Sequence, residues 1–217
     1  STSVGAAEKI DALLVAALTH SRPVYIACYK EVWGQPCPRP GRAPLKAQTL
    51  HSEPLALENA VAQAWAQITA AKNPLILAGV QLQRLGLTGL LQDLIDASGM
   101  LYTTTSLGKS VLAEQGNKFV GTYSAAASLD SVRTLVQEAD CILTLGTIIT
   151  DDYLWFVENK FANMVLATCE ETRVGYFKYQ GVTIKDFMQA LVTRFKRSKA
   201  YPLATVAPPQ PRYPNPW

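Results

Sequence analysis

The run Glu138-Ala-Asp-Cys-Ile-Leu-Thr-Leu-Gly146 reads as the end of a helix, a short apolar strand without alternation and a glycine turn, with Thr150-Asp-Asp152 close behind. A similar unit occurs earlier, where Lys72-Asn-Pro leads into Leu75-Ile-Leu-Ala-Gly79 and an amphipathic stretch then runs to Ser98-Gly99. Strands with no polar face are buried on both sides, which happens chiefly when helices cover both faces of a parallel sheet. In such sheets ligands bind at the carboxyl ends of the strands. No reactive group stands at those ends in this sequence.

The rest of the chain alternates in the same way. Ile10, Leu13, Leu14, Ala17 and Leu18 recur at helical spacing between Ala6 and Thr19, and Val24-Tyr-Ile-Ala-Cys28 then reads as a short strand. The stretch 33–54 holds Pro36, Pro38, Pro40, Pro44 and Pro54 with Gly34 and Gly41, so it reads as a linker or surface crossing. A helix from Leu55 to Lys72 follows, with Leu57, Val61, Trp65 and Ile68 on one stripe. Further strands are expected at 75–78, 101–105, 119–123, 141–145 and 164–168, with an apolar piece at 173–177. Helices are expected at 87–97, 129–138 and 184–195. The pattern predicts an open, doubly wound parallel sheet of about six strands with helices on both faces. Residues 1–200 read as one α/β domain, and 201–217, with six prolines from Pro202 onward, as an interdomain linker. A tether at one end and a helix feeding a strand at the other suggest a piece of a longer protein.

Composition narrows the function. With 48% hydrophobic and 17% charged residues, the 217-residue chain can bury a large core and is neither disordered nor fibrous. A net charge of +3 is too small to point to nucleic acid, and Arg194, Lys196, Arg197 and Lys199 read as a solvated helix end whose cations complement the helix dipole. Cys28, Cys37, Cys141 and Cys169 lack CxxC spacing and neighbouring histidines, so neither a zinc site nor a redox pair is indicated. No apolar run has the length of a membrane span and no signal peptide pattern opens the chain, which makes the cytoplasm the expected location.

Candidate chemistry is sparse. His20 sits at a helix end and His51 in the proline-rich loop, and neither has the context of a catalytic base. Asp151-Asp152 could hold a metal or share a proton, but one of them capping a helix from Tyr153 is the better reading; Glu170-Glu171 invites the same comparison. Gly108-Lys109 fails the phosphate-loop pattern because Thr103 stands where its first glycine belongs, and no G-x-G-x-x-G occurs. The aromatic stretch Tyr153, Trp155, Phe156 and Phe161 lacks the basic interleaving of a base-stacking platform. A complete small hydrolase would need a G-x-S-x-G elbow, which is absent.

Six pieces coincide in order and spacing: Arg22-Pro-Val-Tyr-Ile, the proline-rich crossing, Asn73-Pro-Leu-Ile-Leu-Ala-Gly79, Thr105-Ser-Leu-Gly-Lys109, Phe119-Val-Gly-Thr-Tyr-Ser124, and Ala139-Asp-Cys-Ile-Leu-Thr-Leu-Gly146 followed by Thr150-Asp151. Over residues 6–197 they resemble the central domain of thiamine-diphosphate-dependent 2-oxo acid decarboxylases, the indolepyruvate, phenylpyruvate and pyruvate decarboxylase group. Two departures stand out: Ala27-Cys-Tyr-Lys-Glu31 replaces the usual Glu-Leu-Pro-Arg-Asp, and Ala125 replaces a glycine.

The resemblance implies a Rossmann-like central domain without catalytic residues or metal ligands. It implies a parent lyase, active on a 2-oxo acid of the indolepyruvate or phenylpyruvate type, whose thiamine diphosphate and Mg2+ are bound by N-terminal and C-terminal domains absent from this chain. It also implies a homodimeric or homotetrameric parent, with no nucleic-acid or membrane partner and no activity in this chain alone. The alternative is a free-standing nucleotide- or FAD-binding module. Any such ligand is expected across the strand ends, at Gly79, Val80, Ser106, Gly146 and Asp151, with an empty crevice the stronger expectation.

Overall fold

The computed structural model describes residues 3–39, 41 and 43–198, with Asp152 described in its backbone alone. The proline-rich segment expected to act as a linker, 201–217, lies outside the described residues. The chain forms two compact units, Ser1–Leu50 and His51–Trp217.

In the first unit, helix α1 (Ala6–His20) ends where Ser21 takes a left-handed backbone, with φ of 49°. The Thr19 hydroxyl accepts a hydrogen bond from the Gln48 amide at 2.9 Å. Apart from a single 3-10 turn at Lys30–Val32, the described residues among 22–50 have no regular structure. The strand expected at Val24–Cys28 does not form. Its residues belong to no strand of the described structure, and strand composition alone makes no sheet.

The second unit opens with helix α2 (Pro54–Ala70). Pro54 belongs to this helix rather than to the crossing, because a proline in the first turn forfeits only an amide that has no partner in any case. The Glu53 carboxylate caps the helix, accepting from the amides of Leu55 and Ala56 at 3.2 and 2.6 Å. Strand β1 (Pro74–Ala78), the single turn α3 (Gln81–Arg84), α4 (Thr88–Ser98), β2 (Leu101–Thr105) and β3 (Phe119–Tyr123) follow. Then come α5 (Asp130–Glu138), β4 (Cys141–Leu145), α6 (Leu154–Lys160), β5 (Met164–Ala167), β6 (Thr172–Val174), β7 (Phe177–Tyr179) and α7 (Ile184–Arg197).

One sheet runs in the order β3-β2-β1-β4-β5-β6-β7. The first five strands are parallel, as the apolar runs predict. The last two are antiparallel, and so depart from the expected all-parallel sheet. The cause is Gly175: the apolar piece at 173–177 is no single strand but two, turned at Gly175-Tyr176, where the glycine adopts a φ of 54°.

Helices α2, α4 and α7 bury one face of the sheet, where Leu91, Leu94, Phe187 and Leu191 meet Ile76, Leu143 and Val165. Helices α5 and α6 bury the other, with Val132, Val136 and Phe156 against Leu75, Leu77, Ile142 and Leu166. The aspartate cap expected at Tyr153 is not found: α6 starts at Leu154, and the two aspartates lie in the 3-10 turn Asp151–Tyr153 ahead of it.

Candidate functional site

Strands β1 and β4 are neighbours, and the chain leaves them toward opposite edges, β1 toward β2 and β4 toward β5. This is the point at which open α/β sheets bind ligands. Here the two strand ends touch. A Cβ on Gly79 would stand 2.3 Å from the Gly146 carbonyl oxygen and 2.4 Å from the Thr147 Cα. Gly108, in the loop after β2, closes in from the other side, and a Cβ there would lie 2.6 Å from the Ala78 carbonyl oxygen.

The amides a phosphate would need are engaged inside the protein. Gly79 donates to the Leu145 carbonyl at 2.8 Å, Gln81 to Gly146 at 2.9 Å, and Gly146 to Ala167 at 2.7 Å. Sequence reasoning missed Gln81, whose buried carboxamide oxygen accepts from the Cys169 amide at 3.0 Å and so ties the turn after β1 to the end of β5. A polar residue inside a helical turn carries no signal of burial, which only the pairing of β4 with β5 creates.

Of the expected ligand residues, Gly79, Val80 and Gly146 come together at the strand ends. Val80 precedes α3 and accepts at its carbonyl from the Arg84 amide. Ser106 is exposed on the β2 side and donates from Oγ to Ser124 Oγ at 2.8 Å. Asp151 is exposed at the head of its 3-10 turn. Two buried hydroxyls on β4 and just beyond it, those of Thr144 and Thr147, have no hydrogen-bond partner among the described residues.

The remaining candidates are structural. Glu171 pairs with Lys178 at 2.8 Å, and the Arg173 guanidinium stacks 3.8 Å from the Phe161 ring centroid. None of the four cysteines is in a disulfide among the described residues. Burial, with a smaller contribution from Asp140, pushes the Cys141 thiol up to about 12, which removes it as a nucleophile near neutral pH. Among the described residues no three His, Cys, Asp or Glu side chains gather where a metal ion could bind, and no helix is long and apolar enough to cross a membrane.

The fold and the closed strand ends define an open, doubly wound α/β domain. Residues 61–191 match the thiamine pyrophosphate enzyme central domain family. The chain is 33% identical over 150 residues to an alpha-keto-acid decarboxylase of Mycobacterium leprae, an alignment covering 69% of this chain and 26% of that protein. It is 30% identical over 203 residues to pyruvate decarboxylase 2 of Oryza sativa subsp. japonica, covering 89% and 33%. It is 26% identical over 214 residues to an indole-3-pyruvate decarboxylase of Azospirillum brasilense, covering 94% and 38%. The chain thus belongs to the central domain family of thiamine pyrophosphate enzymes, and it spans between about a quarter and two fifths of the length of these relatives.

Proposed function

We propose that this chain is the non-catalytic middle of a thiamine-diphosphate-dependent 2-oxo acid decarboxylase, of the indolepyruvate or phenylpyruvate type. It holds N-terminal and C-terminal cofactor-binding domains in register within a cytoplasmic homodimer or homotetramer. The observation that supports this reading is the close approach of Gly79 to Gly146, which fills the switch point with backbone where a ligand would otherwise enter. Among the described residues the strand-end amides of Gly79, Gln81 and Gly146 are already bonded and no three His, Cys, Asp or Glu side chains gather beside them, so these residues do not fit thiamine diphosphate with Mg2+. No step of the decarboxylation is therefore assigned to them. The purified chain, supplied with thiamine diphosphate, Mg2+ and indolepyruvate, phenylpyruvate or pyruvate, is expected to release no carbon dioxide. Turnover free of full-length contaminant would overturn this.

A second reading, a nucleotide- or FAD-binding module using Gly79, Val80, Ser106, Gly146 and Asp151, is favoured by the Thr144 and Thr147 hydroxyls. Buried polar groups without a partner cost about 1–3 kcal/mol each and often mark a water or ligand site. Thermal melting with FAD, NAD and ADP separates the two, since a ligand at 100 times its dissociation constant adds about 2.7 kcal/mol. No rise with any of them supports the spacer; a clear rise with one supports the module.

A further inference from the structure

The amino ends of β1, β2 and β3, at the opposite end of the sheet from the closed switch point, frame with the last turn of α5 a cleft of about 130 Å3. Its floor is apolar: Leu75 and Leu101, paired across β1 and β2, with Leu135 of α5. Its walls are fixed. The Asp140 carboxylate holds the amides of Lys72 and Asn73 ahead of β1, and ahead of β3 the Lys118 carbonyl accepts from the Tyr102 amide at 2.9 Å. The Lys118 ammonium donates to the Gly99 carbonyl at 2.6 Å, across the end of α4. Gly99, which ends that helix with a φ of 69°, brings no side chain to fill the space.

The charges around this floor have opposite signs and do not cancel in contact. Lys72 and Glu138 are exposed, and among the described residues Glu138 forms no ion pair with Lys72 or with Lys118. Lys118 commits one of its three N–H donors to Gly99. The carbonyl end of α5 is already answered by Lys160, which donates to Gln137 and, at 2.8 Å, to Ala139. Glu138 is thus left as the charged acceptor of the cleft and the two lysines as its charged donors. An apolar floor with a few polar groups at its rim is the ordinary make-up of a small-molecule site. The volume is about ten times the 10–15 Å3 that one water needs, room for on the order of ten non-hydrogen atoms.

We infer that this cleft binds a free α-amino acid with an apolar side chain. The ammonium pairs with Glu138, the carboxylate with the lysines, and the side chain lies on Leu75, Leu101 and Leu135. A carboxylic acid alone would set a second negative charge beside Glu138 with nothing to answer it, and an amine alone would do the same to the lysines. A dinucleotide is too large. Because the cleft lies at the far end of the strands from Gly79 and Gly146, binding there is separate from either use of the switch point and stands or falls without the decarboxylase reading.

Titration of the chain with L-leucine and with L-phenylalanine, followed by the NMR shifts of its amides, tests this. Saturable shifts are expected at Lys72, Leu75, Leu101 and Glu138, and none at Gly79 or Gly146. Isocaproate and isopentylamine keep the leucine side chain but only one of its two charges, and each should bind at least about tenfold more weakly than leucine. Leucine itself should lose about the same factor on Lys72→Met and on Glu138→Gln. Both side chains are exposed, so these variants should melt with the parent and report on binding rather than folding. No saturation by either amino acid below about 10 mM would overturn the inference. Isocaproate binding as tightly as leucine would overturn it too, and make the cleft an anion site. Shifts centred on Gly79 and Gly146 would move the ligand to the switch point and equally sink the assignment.

Discussion

Gly79 faces Gly146 across the centre of the sheet so closely that a single added methyl would stand 2.3 Å from a backbone oxygen. Backbone cannot yield as a flexible side chain can, so Gly79→Ala must push β1 and β4 apart at their carboxyl ends. A loss of about 1–3 kcal/mol is expected from urea denaturation. Gly89, in the first turn of α4 with open space around it, is the control. There the same change should stabilise by about 0.5–1 kcal/mol, because alanine restricts the unfolded chain. Equal effects at the two positions would count against the closed switch point.

Asp140 joins the starts of the same two strands. Its carboxylate accepts from the amides of Lys72 at 2.7 Å and Asn73 at 2.8 Å, just ahead of β1, while its own backbone leads into β4. Asp140→Ala removes both acceptors, but water reaches the freed amides, so about 1 kcal/mol is expected rather than the full cost of burial. Asp140→Asn keeps one acceptor and should lose less. An Ala variant with the parent's denaturation midpoint would refute the tie.

The start of α7 should make stability depend on acid. Burial alone would raise the Asp186 pKa, but the Ser52 amide, donating at 2.7 Å, the Ser52 and Thr183 hydroxyls and the nearby His51 together bring it below the ordinary carboxylate value. A depressed folded pKa contributes stability that is complete above the unfolded value of about 3.9 and is lost as pH falls through the folded one. Asp186→Asn should therefore lower the melting temperature at pH 7, and the gap between variant and parent should close below about pH 4. A gap that stays constant from pH 7 to pH 3 would show that the carboxylate's charge is not what matters.

The parallel core was legible because β1 and β5 are apolar throughout and β4 is apolar but for Thr144, and a strand buried on both faces writes that directly into sequence. The edge was less so. Residues 173–177 read as one apolar piece, since a glycine inside a strand pattern gives no sign of whether it bends or reverses the chain. Val24–Cys28 was read as a strand on composition, but pairing is a property of the neighbour, and no neighbour lies alongside it in the described structure. At the candidate site the glycines could be named from sequence, whereas their mutual contact could not: Gly79 and Gly146 are 67 residues apart and meet only through the register of β1 on β4. Gln81 and the two threonines were missed for the same reason.

The thiols offer a count that checks the burial of β4. Cys28, Cys37 and Cys169 are exposed, while Cys141 lies wholly inside the strand with its pKa pushed up to about 12. A disulfide exchange reagent at pH 8 should therefore titrate three thiols rapidly in the native chain, and the fourth only when the sheet opens in denaturant. Because the folded state keeps this thiol protonated beyond the unfolded value of about 8.5, the stability it contributes is complete below that pH. It is lost progressively as pH climbs toward about 12. Cys141→Ala should flatten that alkaline decline even though it leaves a small cavity at neutral pH. Four thiols reacting at one rate in the native chain would mean that β4 opens far more readily than its packing on both faces allows.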